Sequence, residues 1–270
     1  MERKPRLSRD ELRGLVMQAG REILAEEGIE TAPDNLTFKR AFERIERTTG
    51  IQLTNASVIR RVWENLADYQ ADVLAALAQD VERPEVEDSL GAVRTYLDSF
   101  DLSTPDLRLW AMRQLCRLVG AASRESLQDS ANWALWISVV AMATTASPSE
   151  RRRRVQEGLR QGYASITEFW EANTGAVMGY LGLRFRAPWT LREYTITSTA
   201  LSEGYALRQY MEGGLPTVLR PSGPDGELEE WTLFAAALEA LVVQCVEADP
   251  DFTPGAVPPG FGSGPSGRTG

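Results

Sequence analysis

Residues suited to covalent chemistry are sparse in this chain. Among 270 residues there is no histidine, so the commonest general base, the usual partner of a serine or cysteine nucleophile and the commonest zinc ligand are all missing. Cys116 and Cys245 each sit inside an apolar helical pattern, where a small buried hydrophobe is favoured over a disulfide or a reactive thiol. Asp249-Pro250-Asp251 and the pair Glu229-Glu230 fall short of the aspartate cluster a magnesium-dependent helical lyase needs. No catalytic residue, metal site or cofactor is expected, and the chain reads as a non-enzyme.

What the sequence does concentrate is the chemistry of non-covalent recognition, between Thr37 and Arg61. Apolar Phe38, Ala41, Phe42 and Ile45 recur at three and four after Thr37, a helix-capping residue, and Thr48-Thr49-Gly50 ends the pattern. A short turn leads to a second helix from about Thr54 to Trp63, which is helix-turn-helix spacing. At about 100° per residue, Val58 and Val62 point to one side with Ile51 above them, ready to pack on Phe38, Phe42 and Ile45. Leu53, Ala56, Ser57 and Arg60 point to the other. That second face is small and polar around one arginine, so it fits a major groove closely enough to reach base edges. Thr37 and Thr54 open helices whose free N–H groups suit phosphate, and Lys39, Asn55 and Arg61 stand beside the face. The expected DNA-binding set is Thr37, Lys39, Thr54, Asn55, Ser57, Arg60 and Arg61.

The net charge of −9 hides an uneven distribution. Residues 1–65 hold 12 of the 29 Lys and Arg and 11 of the 38 Asp and Glu. They are close to neutral behind a basic arm of Arg3, Lys4, Arg6 and Arg9, while the remainder carries the whole acidic excess. Local positive charge is what phosphate contact requires, so the total does not exclude a nucleic-acid partner.

The elements that would position these residues are helical. The fold class is all-α, with an N-terminal three-helix helix-turn-helix domain over 1–80, a larger helical effector-binding and dimerisation domain over 81–250, and a Pro, Gly and Ser-rich tail over 251–270 that is too poor in apolar residues to order itself. Ser8 and Glu11 form a capping-box pair at the start of the first helix, which ends at Glu27-Gly28. Later helices are expected at about 66–77, 85–100, 105–122, 125–146, 149–180, 190–212 and 227–248, with a break near Ala172–Gly175 and a connecting loop from Gly213 to Gly226. The four-arginine run Arg151–Arg154 reads as a solvated, ion-paired helix start. No run is long and apolar enough to span a membrane, and no apolar core follows the basic N-terminus, so a cytoplasmic protein is expected.

The order of these signals resembles the tetracycline-repressor (TetR) family of bacterial regulators: Glu27-Gly28, then Thr37-Phe38-Lys39-Arg40-Ala41-Phe42, then Gly50-Ile51-Gln52-Leu53-Thr54-Asn55-Ala56-Ser57-Val58-Ile59-Arg60-Arg61-Val62-Trp63. The likeness covers about residues 8–77. Ile59 stands at the family's phosphate-contacting tyrosine and Asn65 near its lysine. The resemblance implies a transcriptional regulator, a repressor that binds a double-stranded DNA operator. It also implies a homodimer formed by the last two long helices, here about 190–212 and 227–248, and a hydrophobic small-molecule effector held in the C-terminal domain. Trp110, Met112, Asn132, Trp133, Trp136, Trp170 and Met178 are the candidate pocket residues, with core packing as the competing role for each. A helical sensor or partner-binding protein of the same fold that has lost DNA binding is the alternative.

Overall fold

The computed structural model describes residues 7–28, 35–54, 58, 61–79, 86–128, 131–145, 148–222 and 226–252. Among the described residues there are nine helices: α1 (Arg9–Glu27), α2 (Phe38–Thr49), α3 (Leu66–Gln79), α4 (Val86–Leu97), α5 (Pro105–Gln128), α6 (Ala131–Thr145), α7 (Glu150–Leu181), α8 (Leu191–Glu212) and α9 (Leu233–Cys245). Four short strands accompany them: β1 (Leu183–Phe185), β2 (Thr217–Pro221), β3 (Leu228–Thr232) and β4 (Val246–Ala248). The all-α expectation holds for the framework, but the strands revise two boundaries. The stretch expected as a helix from 227 begins as β3 and becomes helical only at Leu233, where the Thr232 hydroxyl accepts from the Ala235 N–H. β2 and β3 form an antiparallel hairpin with Val218 opposite Trp231, and β1 pairs with β4 through Phe185 and Val246. The expected break at Ala172–Gly175 does not occur, and α7 runs unbroken for 32 residues.

The chain divides into two compact units, with one boundary at 82/83, close to the expected residue 80, and a second segment of the chain added to the first unit. The first takes its described residues from 1–82 and 130–165, and the second from 83–129 and 166–270. The physical reason lies in α6, which is apolar on all sides and so needs cover. Trp136, Val139 and Ala143 share a core with Leu12, Val16, Tyr69, Val73 and Leu74. Gly158 lets α7 approach so closely that an added Cβ would lie 2.5 Å from the Ala75 carbonyl oxygen.

In the second unit Met112, Leu115, Cys116, Met178, Tyr194, Leu238 and Val242 form the core. Gly120 brings α5 against α9, where a Cβ would meet that of Ala235 at 2.5 Å. The hairpin is fastened from beneath by polar groups. Gln114 donates to the Ser222 carbonyl at 2.6 Å, the Trp231 indole N–H donates to the Ser222 hydroxyl, and buried Glu239 accepts from Arg113 and pairs with Arg220. Burial pushes the Cys116 thiol well above its ordinary range, so it stays protonated. No helix among the described residues is long and apolar enough to cross a membrane.

Candidate nucleic-acid interface

The site is built on a floor of four rings. Phe38 stacks on Tyr69 with centroids 4.9 Å apart and on Phe42 at 5.9 Å, and Trp63 meets Tyr69 edge-on at 5.1 Å. Such offset and edge contacts suit the ring quadrupoles. The Tyr69 hydroxyl, deep in the core, donates to the Val16 carbonyl at 3.2 Å, and burial pushes its pKa well above the ordinary value for tyrosine. Gly20 makes room for that hydroxyl.

On this floor α2 is held against α1 by two arginines. Arg40 pairs with Glu27, and Arg44 pairs with Glu26 and Glu22. Arg44 holds the Glu26 carboxyl below its usual range, chiefly by hydrogen bonding. These two cations are therefore committed to the scaffold. Gly50 takes the left-handed conformation that ends α2, φ 69°, and its N–H donates to the Glu46 carbonyl.

Beyond the turn, Val58 is fully buried and helical, with the N–H groups of Arg61 and Val62 donating to its carbonyl at 3.2 and 2.9 Å. Val58, Val62 and Ile51 pack with Phe38, Phe42 and Ile45 as their spacing predicts. Leu53 does not follow its predicted outward direction: it packs on the same core, because residues 51–54 are not helical and a helical phase does not extend to them.

The expected contact residues fall into three groups. Thr37 caps α2, its hydroxyl accepting from the Arg40 N–H at 3.3 Å. Lys39 extends into solvent with only a loose 3.8 Å pair to Glu43, and Thr54 is exposed before the second helical segment. Arg61 is half-buried and donates to the Leu7 carbonyl at 2.9 Å, so it ties down the chain entering α1. Asn55, Ser57 and Arg60, together with Ile59 and the basic arm residues Arg3, Lys4 and Arg6, lie outside the described residues.

Two roles were missed in the sequence. Asn65 is the cap of α3: its side-chain oxygen accepts from the Asp68 N–H at 2.9 Å and its amide donates back to the Asp68 carboxylate. The Asn65-x-x-Asp68 spacing is a capping signal that could have been read. Asp72 gathers the Trp63 indole N–H, Arg13 and Arg154 on one carboxylate, and nothing local in the sequence announces contacts 59 and 82 positions apart. The arginine run is correspondingly less solvated than expected. Arg152 donates to the Ala143 carbonyl at the end of α6, and Arg154 reaches Asp68 and Asp72.

The candidate effector residues are divided between the two units. Trp133 and Trp136 pack in the first unit, Trp136 edge-on to Tyr163 at 5.2 Å, and Met112 and Met178 are core of the second. Trp110 packs edge-on to Phe100, Trp170 sits beside Phe169 with 38% of its surface exposed, and the Asn132 side chain is outside the described residues. A cleft of about 40 Å³ in the second unit is lined by other residues, among them Tyr205, Gln209 and Phe234, and has room for a few waters.

No protein-family model matches the chain, and no curated protein does. Solved structures similar to it include the following two. One, named as a TetR-family transcriptional regulator from Rhodococcus sp., has a TM-score of 0.42 and 13% identity, over 87% of this chain and 98% of that one. The other, a TetR-family transcriptional regulator from Agrobacterium tumefaciens, has a TM-score of 0.37 and 15% identity, over 88% and 96%. Similarity at this level leaves the function to the chain's own residues.

Proposed function

We propose that the chain is a DNA-binding transcriptional regulator of the tetracycline-repressor type, acting as a repressor and as a homodimer paired through α8 and α9. The observation that carries the reading is the burial of Val58 in a helical turn over the Phe38, Tyr69 and Trp63 rings. Helical spacing in the sequence sets the small polar positions Ser57 and Arg60 opposite that anchor, and Lys39 and Thr54, on the segments before it, are exposed. Binding of random-sequence duplex at low salt, followed by selection of a preferred operator, tests it. Affinity that falls steeply with salt supports the reading, and no binding of any duplex overturns it.

The proposal includes release by a hydrophobic small molecule. A shift in tryptophan emission and melting temperature on adding an apolar compound is its signature. One observation favours the alternative of a fold that no longer binds DNA: Arg61, an expected phosphate contact, already donates to Leu7. The same duplex titration separates the two.

A further inference from the structure

We propose that Asp72 is the positioning residue of the DNA-reading segment, an inference that rests on the reading above. One of its carboxylate oxygens accepts from the Trp63 indole N–H at 2.9 Å and from Arg13 at 3.1 Å, and the other faces Arg154 at 3.4 Å. Trp63 closes the segment that begins at Thr54 and is only 4% exposed. A buried indole N–H requires an acceptor, and a carboxylate flanked by two guanidinium groups is a strong and directional one.

The arrangement fixes a pose. Val58 holds the middle of the segment against the rings, Arg61 ties its side to the Leu7 carbonyl, and Trp63 locks its end to α3. Asp72 thereby joins α1, α3 and the second turn of α7 to the end of the reader through one side chain. Arg154 adds Asp68 and Glu150 to the same group, which then holds two guanidinium groups and three carboxylates.

Two substitutions separate positioning from charge and from packing. Asp72→Asn makes the unit one charge more positive, so simple electrostatics predicts tighter DNA binding, whereas loss of position predicts weaker binding. Trp63→Phe alters no charge and keeps a ring against Phe38 and Tyr69, removing only the donor. A lost charge-assisted hydrogen bond lowers the population of the competent pose by about tenfold to a hundredfold, and apparent affinity falls by the same factor.

The full-length protein is titrated against its selected operator and against random duplex, with melting curves and the indole ¹H–¹⁵N spectrum recorded in parallel. Both folded variants should weaken operator binding about tenfold or more and random duplex less. The double variant should lose less than the sum of the two single losses, because Trp63→Phe removes the donor of the bond that Asp72→Asn weakens. In Asp72→Asn one buried indole resonance should move. Operator binding at the wild-type level in either folded variant, tighter binding by Asp72→Asn, or additive losses in the double variant would overturn the assignment. Failure of the wild type to bind any duplex is a different result: it removes the DNA-binding reading itself.

Discussion

At the scale of single residues, the site divides into groups spent on the scaffold and groups left for a ligand. Arg40 and Arg44 belong to the first class and Lys39 to the second. Arg61 stands between them, since its guanidinium has one donor on the Leu7 carbonyl and several more to offer. Arg60→Ala should weaken the preferred operator more than random DNA, by about 1–3 kcal/mol for an arginine paired to guanine. Arg61→Ala should weaken all sequences alike and reduce the slope of affinity against salt. Salt titrations of both variants on both duplexes check this, and equal behaviour of the two variants would end the distinction. Much of this site was legible because it is local. Ser8 with Glu11, Thr37 as a cap, and Val58 with Val62 all follow from spacings of three or four, and the structure bears them out. Leu53 was misread because a phase was carried into a non-helical turn. Asp72 was invisible because its partners come from three separate elements.

At the scale of elements, glycines mark where helices touch and where they do not. Gly120 on α5 faces the backbone of Ala235, with Cα at 2.8 Å and N at 2.9 Å from an added Cβ, and backbone cannot step aside as a side chain can. Gly120→Ala should therefore destabilise the protein by about 1–3 kcal/mol or more. Gly14 on α1 has nothing within 4 Å, so Gly14→Ala should stabilise it by about 0.5–1 kcal/mol through helix propensity alone. Denaturant unfolding of the two variants should move in opposite directions. The cap of α8 adds a pH signature. Hydrogen bonds from Thr190, its hydroxyl first, hold the Glu193 carboxyl below its ordinary value of 4.5. A carboxyl depressed in the folded state contributes stability that is present above that value and is lost as pH falls through the folded one. The difference in melting temperature between wild type and Glu193→Gln should accordingly be present near neutrality and vanish in acid. Helix positions were largely readable from periodicity, whereas the hairpin was not. Leu228-Glu229-Glu230-Trp231-Thr232 adjoins an apolar helical run and is a strand only because Val218 and Gln114 lie where Trp231 and Ser222 need them.

At the scale of the whole molecule, the proposed dimer determines how the reader would be used. The apolar residues of α9 are partly consumed within its own unit, since Leu238 and Val242 are buried there. The case therefore shifts to α8. Ile196, Ala200, Leu207 and Met211 recur at helical spacing with Tyr210 alongside, all exposed, with 73% of Met211 and 61% of Tyr210 open to solvent, and Val243 of α9 is exposed as well. An exposed apolar helix face of this kind, interrupted only at Glu203 and Gly204, is costly to leave in water and is the usual mark of an interface. Light scattering should give a dimer at concentrations of tens of micromolar. Leu207→Glu with Met211→Glu should convert it to a monomer whose secondary structure is unchanged, because neither side chain supports the core. A dimer that persists in that variant would move the interface away from α8, and a monomeric wild type would remove it. The consequence reaches the operator. Two copies related by a two-fold axis present two reading segments to half-sites about one helical turn apart or a multiple of it, so the selected sequence should be palindromic and the monomeric variant should bind it little better than a single half-site.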